Sequence, residues 1–443
     1  METKKNDHSY RKFKHIVRNS RTFPIAQEQV TKQPEPENRE ITIWCSNDYL
    51  GLGRHPYVKS EVMNAVDIYG AGSGGTRNIS GSTPLHSKLE NELAKLHQKE
   101  AALLFTSCYV ANDTTLFTLA KMIPKCHIFS DAGNHASMIQ GIRNSGVPKH
   151  IFRHNDAKHL EELLRTVPIE TPKIVAFESV HSMDGSICDV EEMCDVTHKY
   201  GGLAFVDEVH AVGLYGKNGA GIGERDNVLA KMDVISGTLG KAFGNVGGYI
   251  AGSHALVDTI RSYGAGFIFT TSLPPSVISG ALAAIKLSCS DEGRHLRARH
   301  QHNASLLKKR LIESGLPVMN SPSHIVPVYV GNAQHASDIC NLLLHDYGIY
   351  IQSINYPTVA RGEERLRVVP TPLHTDKMID DLVDALTKVW TKCDLKLRIE
   401  SLKTIRRIPI VCKSCNSEVT NESDWKKVCR NLIFNKECEV IAV

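Results

Sequence analysis

The sequence of 443 residues lacks several features that would point to a particular environment or partner. No run of apolar residues approaches the roughly 18 that a membrane-spanning helix needs. The net charge is only +4, so the composition does not indicate a polyanionic partner such as a nucleic acid. The twelve cysteines are scattered and no secretory leader is evident, so we expect reduced thiols in an intracellular compartment. We therefore expect a soluble globular protein with one large and one smaller domain.

Short apolar runs alternate with longer stretches of helical spacing from about residue 101 onwards. This alternation predicts an α/β fold with a mostly parallel sheet that helices cover on both faces. Ligands bind beyond the carboxyl ends of the strands in such sheets. The polar residues that follow the runs therefore indicate a site: Ser130, Ser182, Asp207 and Thr238. The runs themselves are ALLFTS, CHIFS, KHIFRH, KIVAFES, LAFVDE, DVISGT, GGYIAGS and FIFTTS.

The composition divides the chain into four segments. Residues 1–40 are predicted to form an N-terminal helix and a polar, proline-bearing linker, and residues 41–275 the large ligand-binding domain. Residues 276–392 are predicted to form a smaller α+β domain, and residues 393–443 a C-terminal extension. The first 22 residues are basic, and the remnant of an organelle-targeting segment stays open as an alternative to a solvated helix.

A lysine with glycine neighbours and an aspartate at a strand end have the chemistry that pyridoxal phosphate (PLP) requires. Lys241 follows the run DVISGT and lies among Gly237, Gly240 and Gly244, which let the backbone approach a cofactor closely. Asp207 ends the run LAFVDE, and a carboxylate buried there needs a cationic partner such as the protonated ring nitrogen of PLP. The pair predicts a PLP enzyme in which Lys241 binds the cofactor covalently.

Further polar residues at strand ends suit the same cofactor. His210 lies three residues after Asp207, within reach of the ring oxygen, and His135 follows another run, from which it would stack on the ring. Ser107, Cys108 and Tyr109 precede a predicted helix that begins with ANDTTL, and its N-terminal N–H groups would suit the phosphate. Each of these residue types is more often structural when taken alone, so the prediction depends on their joint occurrence. The remaining candidates on the phosphate side are Cys108, Tyr109, Thr238, Thr270 and Thr271.

Five motifs resemble those of the α-oxoamine synthases, a family of PLP-dependent transferases of fold type I. Within that family the chain is similar to the branch that forms 5-aminolevulinate from glycine and succinyl-CoA, the first step of haem synthesis. The resemblance runs from about Tyr10 to Trp390 and implies an acyltransferase that works as a homodimer with shared active sites. The motifs are WCSNDYLG (44–51), GAGSGGTRNISG (70–81), DEVH (207–210), TLGKAFG (238–244) and NYPTVARG (355–362).

The resemblance implies a role for each matching position. Lys241 matches the lysine that carries the cofactor and removes the α-proton of glycine, Asp207 the partner of the ring nitrogen, and His135 the residue stacked on the ring. These three are the predicted catalytic residues. Arg367 matches the arginine that binds the carboxylate of the amino acid, and Asn47 belongs to the same substrate pocket. The other cofactor-binding matches are Cys108, Tyr109, Ser182, His210, Thr238, and also Thr270 and Thr271, which are donated to the partner subunit's site.

The acyl donor is predicted from positions that would receive the distal carboxylate of succinyl-CoA. Arg11, Thr76 and Asn78 match these positions in the resembling branch. A related enzyme that joins glycine to acetyl-CoA needs no such groups, and it stays open as the first alternative. The second alternative is a catalytically inactive partner subunit, although the predicted catalytic residues are all present. Further matches to substrate positions are Ser130, Lys149 and Thr358, the last in a segment that closes over substrate.

The C-terminal tail carries the expectation about location. The stretch IPIVCKSCNSEV is similar to the C-terminal extension of animal-like forms of the resembling enzymes, which implies a mitochondrial matrix protein. The tail also contains Cys412, Cys415, Cys429 and Cys438, whose loose spacing favours free thiols over a zinc site. The sequence therefore predicts no metal site.

Overall fold

The computed structural model describes residues 2, 4, 10, 13–30 and 37–398, together with the backbone of residues 410–412 and 440–442. The strands are β1 (Ile16–Arg18), β2 (Ile25–Val30), β3 (Glu37–Ile43), β4 (Ala101–Phe105), β5 (His127–Asp131), β6 (Lys149–Phe152), β7 (Lys173–Glu178), β8 (Gly202–Asp207), β9 (Val234–Thr238), β10 (Gly248–Gly252), β11 (Val326–Tyr329), β12 (Ile349–Tyr350), β13 (Gln352–Ile354), β14 (Arg365–Val368), β15 (Ile410–Cys412) and β16 (Val440–Ala442).

Helices separate most of these strands along the chain. They are α1 (Pro56–Tyr69), α2 (Pro84–Leu96), α3 (Cys108–Met122), α4 (Ala136–Ser145), α5 (Ala157–Leu164), α6 (Val190–Lys199), α7 (Ile222–Arg225), α8 (His254–Tyr263), α9 (Ala265–Ile268), α10 (Pro275–Cys289), α11 (Asp291–Glu313), α12 (Ala333–Tyr347) and α13 (Asp376–Lys392). In the described part of the chain no helix is both long and apolar enough to cross a membrane.

A seven-stranded sheet in the order β4-β10-β9-β8-β7-β5-β6 forms the centre of the large part of the molecule. Strand β10 is antiparallel to both of its neighbours, and all other pairs are parallel. Seven of the eight apolar runs form these strands, so the predicted mostly parallel sheet is confirmed. The eighth, FIFTTS, is wrong as a strand prediction, because its first residues close the short helix α9. There Phe267 is buried and Phe269 is exposed.

Both faces of the central sheet are covered, which is why its strands are continuously apolar. Val175 and Phe177 of β7 pack into one apolar cluster, while Ile174 and Ala176 pack into the cluster on the opposite face. Successive side chains of a strand point to opposite faces, so burial on both sides leaves no position for a polar residue until the strand ends. The first polar side chains after the strands therefore meet at the carboxyl edge.

The N-terminal segment forms strands where the sequence predicted a helix and linker. Strands β1, β2, β3 and β12 make a separate four-stranded sheet, in which Ile25 pairs with Thr42 and Ala26 with Ile41. Pairing with β2 also includes the polar residues 37–40, which had been predicted as a loop. Composition misled here because one face of β3 is solvated and its other face packs on the core.

The smaller C-terminal part is built on β11-β14-β13 with α12 and α13. Most of its apolar cluster comes from Leu307 and residues after it. Helix α10 lies within the segment predicted to belong to this domain, yet Ile278 and Ala281 pack into the core of the large part. Trp44, which precedes the large domain's first helix, packs conversely into the small core. The two cores therefore exchange segments near the predicted boundaries. Strands β15 and β16 pair with each other in the tail.

Candidate active site

The side chain of Asp207 lies at the carboxyl end of β8 and is buried. Its Oδ2 accepts a hydrogen bond from Asn112 Nδ2 at 2.6 Å, and its Oδ1 accepts one from the Val209 N–H at 2.8 Å. Both donors are neutral, so they leave the negative charge of the carboxylate uncompensated in a buried place. A protonated heterocyclic nitrogen is a partner that would complete this arrangement.

Asn112 also fixes the protonation of His135. The Asp207 carboxylate only accepts, so the Asn112 atom that contacts it must be the amino nitrogen Nδ2. The same amino group also donates to Ser137 Oγ at 3.1 Å. The Ser137 hydroxyl is then free to donate to His135 Nδ1 at 2.8 Å, and the Ser137 N–H points at the same nitrogen at 3.3 Å. Nδ1 is thus an acceptor, and the imidazole carries its proton on Nε2. Burial lowers the pKa of His135, which keeps the ring neutral.

Lys241 follows β9 and brings a buried amine next to these groups. Burial lowers the pKa of Lys241, although the negative charge of Asp207 works in the opposite direction. A lowered pKa increases the fraction of free amine, the form that bonds to an aldehyde and accepts a proton. The geometry therefore suits both roles predicted for this lysine.

The N-terminus of α3, beside the end of β9, forms a cradle of backbone hydrogen-bond donors. Ser107 caps the helix, its Oγ accepting the Val110 N–H at 3.2 Å. The buried Thr238 hydroxyl at the end of β9 donates to the Gly247 carbonyl at 3.2 Å and accepts the Gly240 N–H at 3.1 Å. Gly248 of β10 lets the helix come close, since a Cβ there would lie 2.2 Å from the backbone nitrogen of Cys108. Helix α3 has fifteen residues and begins here, and the N-terminus of a helix favours an anionic group such as a phosphate.

Arg367 of β14 reaches across from the small domain to the same region. Its Nη2 donates to Tyr49 Oη at 2.9 Å, and Tyr49 lies 2.8 Å from His210 Nδ1. The single Tyr49 proton has two acceptors within reach, His210 Nδ1 and Asn47 Oδ1 at 3.3 Å, so the tyrosine positions the His210 ring without fixing its tautomer. Burial, together with the positive charges of Lys241 and Arg367, holds the pKa of His210 well below its usual range.

The guanidinium of Arg367 keeps donors for a further ligand. Its Nε donates to the carbonyl of Ser182 at 2.9 Å and its Nη1 to Asn47 Oδ1 at 3.3 Å, in addition to the bond to Tyr49. Within the described residues these bonds use three of the five N–H groups of an arginine. The acceptors of Nη1 and Nη2 lie 3.3 Å apart, so these bonds use the parallel pair of N–H groups between the two terminal nitrogens. One N–H on each terminal nitrogen remains as a donor to a carboxylate oxygen.

These groups together fit PLP. The amine of Lys241 would bond its aldehyde, Asp207 would pair its ring nitrogen, and the α3 cradle would hold its phosphate. His135 would present its Nε2–H group to the ring, and His210 would lie near the ring's substituents. No metal or second cofactor is needed to account for this set.

Comparison with known proteins gives three independent matches. The family described as aminotransferase class I and II matches residues 39–386. The erythroid-specific, mitochondrial 5-aminolevulinate synthase of Opsanus tau is 59% identical over 426 residues, covering 96% of this chain and 72% of the relative. The human enzyme of the same description is 56% identical over 426 residues, covering 96% and 71%. The chain belongs to the 5-aminolevulinate synthase family. That membership confirms the predicted family and its PLP-dependent acyltransferase chemistry.

A solved structure supports the family's fold independently. Serine palmitoyltransferase from S. paucimobilis with bound PLP–myriocin aldimine superposes with a TM-score of 0.78 at 28% identity, covering 85% of this chain and 94% of that one. The predicted fold type I architecture and the predicted PLP cofactor of this 5-aminolevulinate synthase family member are thereby confirmed.

Several predicted site residues lie away from the cluster around Lys241. Lys149 is exposed at the amino end of β6, four strands or roughly 19 Å from β9 along the sheet. Ser130 is buried and accepts from Asn134 Nδ2 at 2.9 Å, so its hydroxyl is engaged internally. Thr358 is exposed in the loop between β13 and β14. Tyr109, by contrast, is half exposed but lies at the cluster, because its ring packs edge-on against the His135 ring with the centroids 6.4 Å apart. Arg11 lies outside the described residues.

A second group of predicted residues gathers at the surface. Thr76 and Thr271 form an isolated antiparallel bridge, and the Ser272 N–H donates to the Gly75 carbonyl at 2.9 Å. The Thr270 hydroxyl donates to the carbonyl of Gly266 at 2.6 Å. The residues predicted for the acyl group and those predicted to serve the partner subunit thus share one surface, to which the exposed Asn78 belongs.

Sequence reasoning missed Asn112, Ser137 and Tyr49. Tyr49 lies inside the motif WCSNDYLG, two residues after Asn47, so the motif itself offered a signal. Asn112 and Ser137 gave none, because their partners are 95 and 25 residues away along the chain and meet only in the fold.

Proposed function

We propose that this protein is a 5-aminolevulinate synthase, which joins glycine to succinyl-CoA and releases CoA and carbon dioxide. The observation that carries the proposal is the buried guanidinium of Arg367, with two N–H groups left for a ligand, in one site with the buried amine of Lys241 and the carboxylate of Asp207. One group binds an amino acid carboxylate, one takes its α-proton, and one pairs the cofactor ring. The names of relatives that are 56–59% identical support the same reaction.

Arg367 would hold glycine by its carboxylate. Hydrogen bonds from the planar guanidinium fix the orientation of the amino acid as well as its position. Asn47, Tyr49 and the Ser182 carbonyl hold three of its N–H groups, so the guanidinium is oriented before the substrate arrives. Such pre-organisation reduces the entropy lost when the reacting groups are aligned.

Lys241 would take the α-proton of glycine. Bound PLP supplies an electron sink for the carbanion that this proton transfer leaves. The carbon then forms a bond to the thioester carbonyl of the acyl-CoA, the CoA thiolate leaves, and the glycine carboxylate departs as carbon dioxide. The Nε2–H group of His135 would donate a hydrogen bond to an oxygen that gains negative charge. The neutral state of His135 suits donation without adding another cation beside Lys241.

The acyl specificity would come from Arg11, Thr76 and Asn78. A distal carboxylate buried without a donor is costly, so a succinyl pocket needs polar or cationic groups that an acetyl pocket does not. These three residues stay the proposed acyl-binding residues, with Ser130, Lys149 and Thr358 as further substrate contacts.

The active protein would be a homodimer. Large apolar side chains are exposed on α1, on the 77–81 turn and after α9, the surface that carries Thr271 and Thr76. Ile79 is 71% and Phe269 is 79% exposed, and adjacent apolar side chains of this size indicate an interface. Thr270 and Thr271 would then contact the partner subunit's cofactor, as the resemblance implies. The relatives' names suggest a mitochondrial protein, and we place it in the matrix.

The test is thiol release with glycine and each of succinyl-CoA, acetyl-CoA and palmitoyl-CoA, using PLP-saturated protein. We expect release with succinyl-CoA far above the other two, and none from the Lys241→Ala variant. Preference for acetyl-CoA would favour the 2-amino-3-ketobutyrate ligase alternative and reject the acyl pocket. A protein that binds no PLP and releases no thiol would be the inactive partner subunit instead.

A further inference from the structure

Three loops at the carboxyl edge of the central sheet bring two histidines and two aspartates together beside the proposed active site. Asp131 ends β5, His154 follows β6, and His181 and Asp184 lie in the loop after β7. These three strands are neighbours and parallel, so their trailing loops meet at one edge. The ring nitrogens of the histidines and a carboxylate oxygen of Asp184 lie within 4.8 Å of one another.

Each histidine is held by its other ring nitrogen. His154 Nδ1 lies 2.7 Å from Asp131 Oδ1, and His181 Nε2 contacts the carbonyl of Gly133. A carboxylate and a carbonyl only accept, so those two nitrogens carry protons, and the other nitrogen of each ring lies on the side of Asp184. A glycine is required at 133, because a Cβ there would lie 2.7 Å from both rings. This is the outer-shell pattern that orients histidine ligands in metalloproteins.

The distances from Asp184 to the two histidines are longer than direct charged hydrogen bonds, and the three ligand atoms are close enough to draw together around one ion. His154 Nε2 lies 3.5 Å from one oxygen of Asp184, and His181 Nδ1 lies 3.4 Å from the other. Charged imidazole–carboxylate hydrogen bonds are shorter, at about 2.7–2.9 Å. Ligand bonds of about 2.0–2.1 Å at tetrahedral angles place neighbouring ligand atoms about 3.3–3.4 Å apart. The buried His181 Nδ1 has no hydrogen-bond partner among the described residues.

We propose that His154, His181 and Asp184 bind a divalent transition-metal ion of the zinc type. Two imidazoles and one carboxylate are a ligand set that zinc accepts, with a fourth position left for water. The side chains are 30%, 13% and 30% exposed, so an ion reaches them from solvent. Ser186 Oγ and Asn155 Nδ2 lie 3.0 and 3.2 Å from His154 Nε2 and would turn to the bound water.

This site is separate from the residues proposed for catalysis and is not required by the proposed function. It departs from the sequence analysis, which predicted no metal. The cluster escaped that analysis because its ligands come from two loops separated by 27 residues and lack a compact spacing. Bound metal would join the loops after β6 and β7 and restrain the segment whose Ser182 carbonyl accepts from Arg367.

The experiment is equilibrium dialysis of the full-length, PLP-saturated protein against Zn²⁺, with bound metal quantified by mass spectrometry. We expect one Zn²⁺ ion per chain to bind saturably at this cluster. This binding should be lost in the His154→Gln and Asp184→Asn variants. Asp131→Asn removes only the orienting contact and should weaken binding about 10–100-fold. His198→Gln is the matched control, since His198 pairs with Asp233 at 2.8 Å without a third ligand. Retained PLP absorption shows that each variant is folded.

X-ray absorption at the zinc edge tests the same proposal on the unaltered protein. We expect nitrogen and oxygen neighbours only, at about 2.0–2.1 Å, with an imidazole signature. Sulfur neighbours at about 2.3 Å would assign the ion to cysteines and overturn the proposal. Zinc binding that is unchanged in His154→Gln, or no saturable binding at all, would equally overturn it, whether or not the protein makes 5-aminolevulinate.

Discussion

At the scale of single residues, the tautomer of His135 is set by a series of hydrogen bonds. The series starts at Asp207, whose carboxylate only accepts, and passes through Asn112 and Ser137 to His135 Nδ1. A second series starts at Arg367 and passes through Tyr49 to His210. The Tyr49 proton can reach both His210 Nδ1 and Asn47 Oδ1, so this second series positions His210 without fixing its tautomer.

Replacing Asn112 by leucine should release the tautomer of His135 while leaving the buried space filled. The Ser137 hydroxyl loses its donor and is no longer directed at Nδ1, so both tautomers become populated. We expect kcat to fall about two- to tenfold, the value of one hydrogen bond. ¹⁵N NMR of histidine-labelled protein reports the tautomer directly. Asn144→Ala, which removes an exposed amide bonded to Asp113, should change neither.

Replacing Arg367 by lysine should raise the KM for glycine about 10–100-fold, because an ammonium group does not reproduce the planar fork. The effect on kcat should be smaller. Arg365→Lys on the same strand is the control, since that guanidinium bonds Glu363. An unchanged KM for glycine in Arg367→Lys would show that the carboxylate binds elsewhere.

The residues of the cofactor cluster were predictable because each directly follows an apolar strand. Asp207, Thr238 and Lys241 stand where a buried strand first allows a polar group. Asn112 was not predictable, because its place depends on how α3 packs beside β8. The helical period alone predicts that Asn112 lies on a buried face of α3, but it does not identify the residues that its side chain contacts.

At the scale of elements, helix α3 is the part of the fold that would hold the phosphate. Its Ser107 cap resembles the Ser253 cap of α8, whose Oγ accepts the Leu256 N–H at 3.3 Å. Replacing either serine by alanine should cost about 1 kcal/mol of stability. Only Ser107→Ala should weaken PLP affinity, measured by titration of the absorption spectrum. Equal PLP affinity in both variants would place the phosphate elsewhere.

The parallel sheet was the most predictable element and the N-terminal sheet the least. Strands such as β7 are buried on both faces, so their composition alone identifies them. Strands β2 and β3 are polar along much of their length, and only their pairing makes them strands. The run FIFTTS is apolar and was therefore predicted to be a strand. Its apolar side chains belong instead to a short helix and to an exposed surface.

At the scale of the whole molecule, the exposed apolar surface around Ile79 and Phe269 should be the subunit interface. Phe269→Asp should shift the protein toward monomers in sedimentation and lower its activity in parallel. Ile151→Asp is the control, since Ile151 is also half exposed but lies on the edge strand β6. A monomeric wild-type protein with full activity would reject the interface.

Shared active sites predict complementation between two inactive proteins. Lys241→Ala lacks the proposed base, and the double variant Thr270→Ala, Thr271→Ala lacks the donated hydroxyls. Subunit exchange at equal amounts should give half mixed dimers with one intact site each, or about a quarter of the wild-type activity. No recovery after exchange, with mixed dimers present, would mean that each chain builds its site alone.

The most direct test of the central claim is the fate of the two glycine carbons. Wild-type protein with PLP, succinyl-CoA and glycine labelled with ¹³C at both carbons should yield 5-aminolevulinate labelled only at C5, together with labelled carbon dioxide. The Lys241→Ala variant should yield neither. A product that keeps both labels, or labelled carbon dioxide without 5-aminolevulinate, would contradict the decarboxylative condensation proposed for this site.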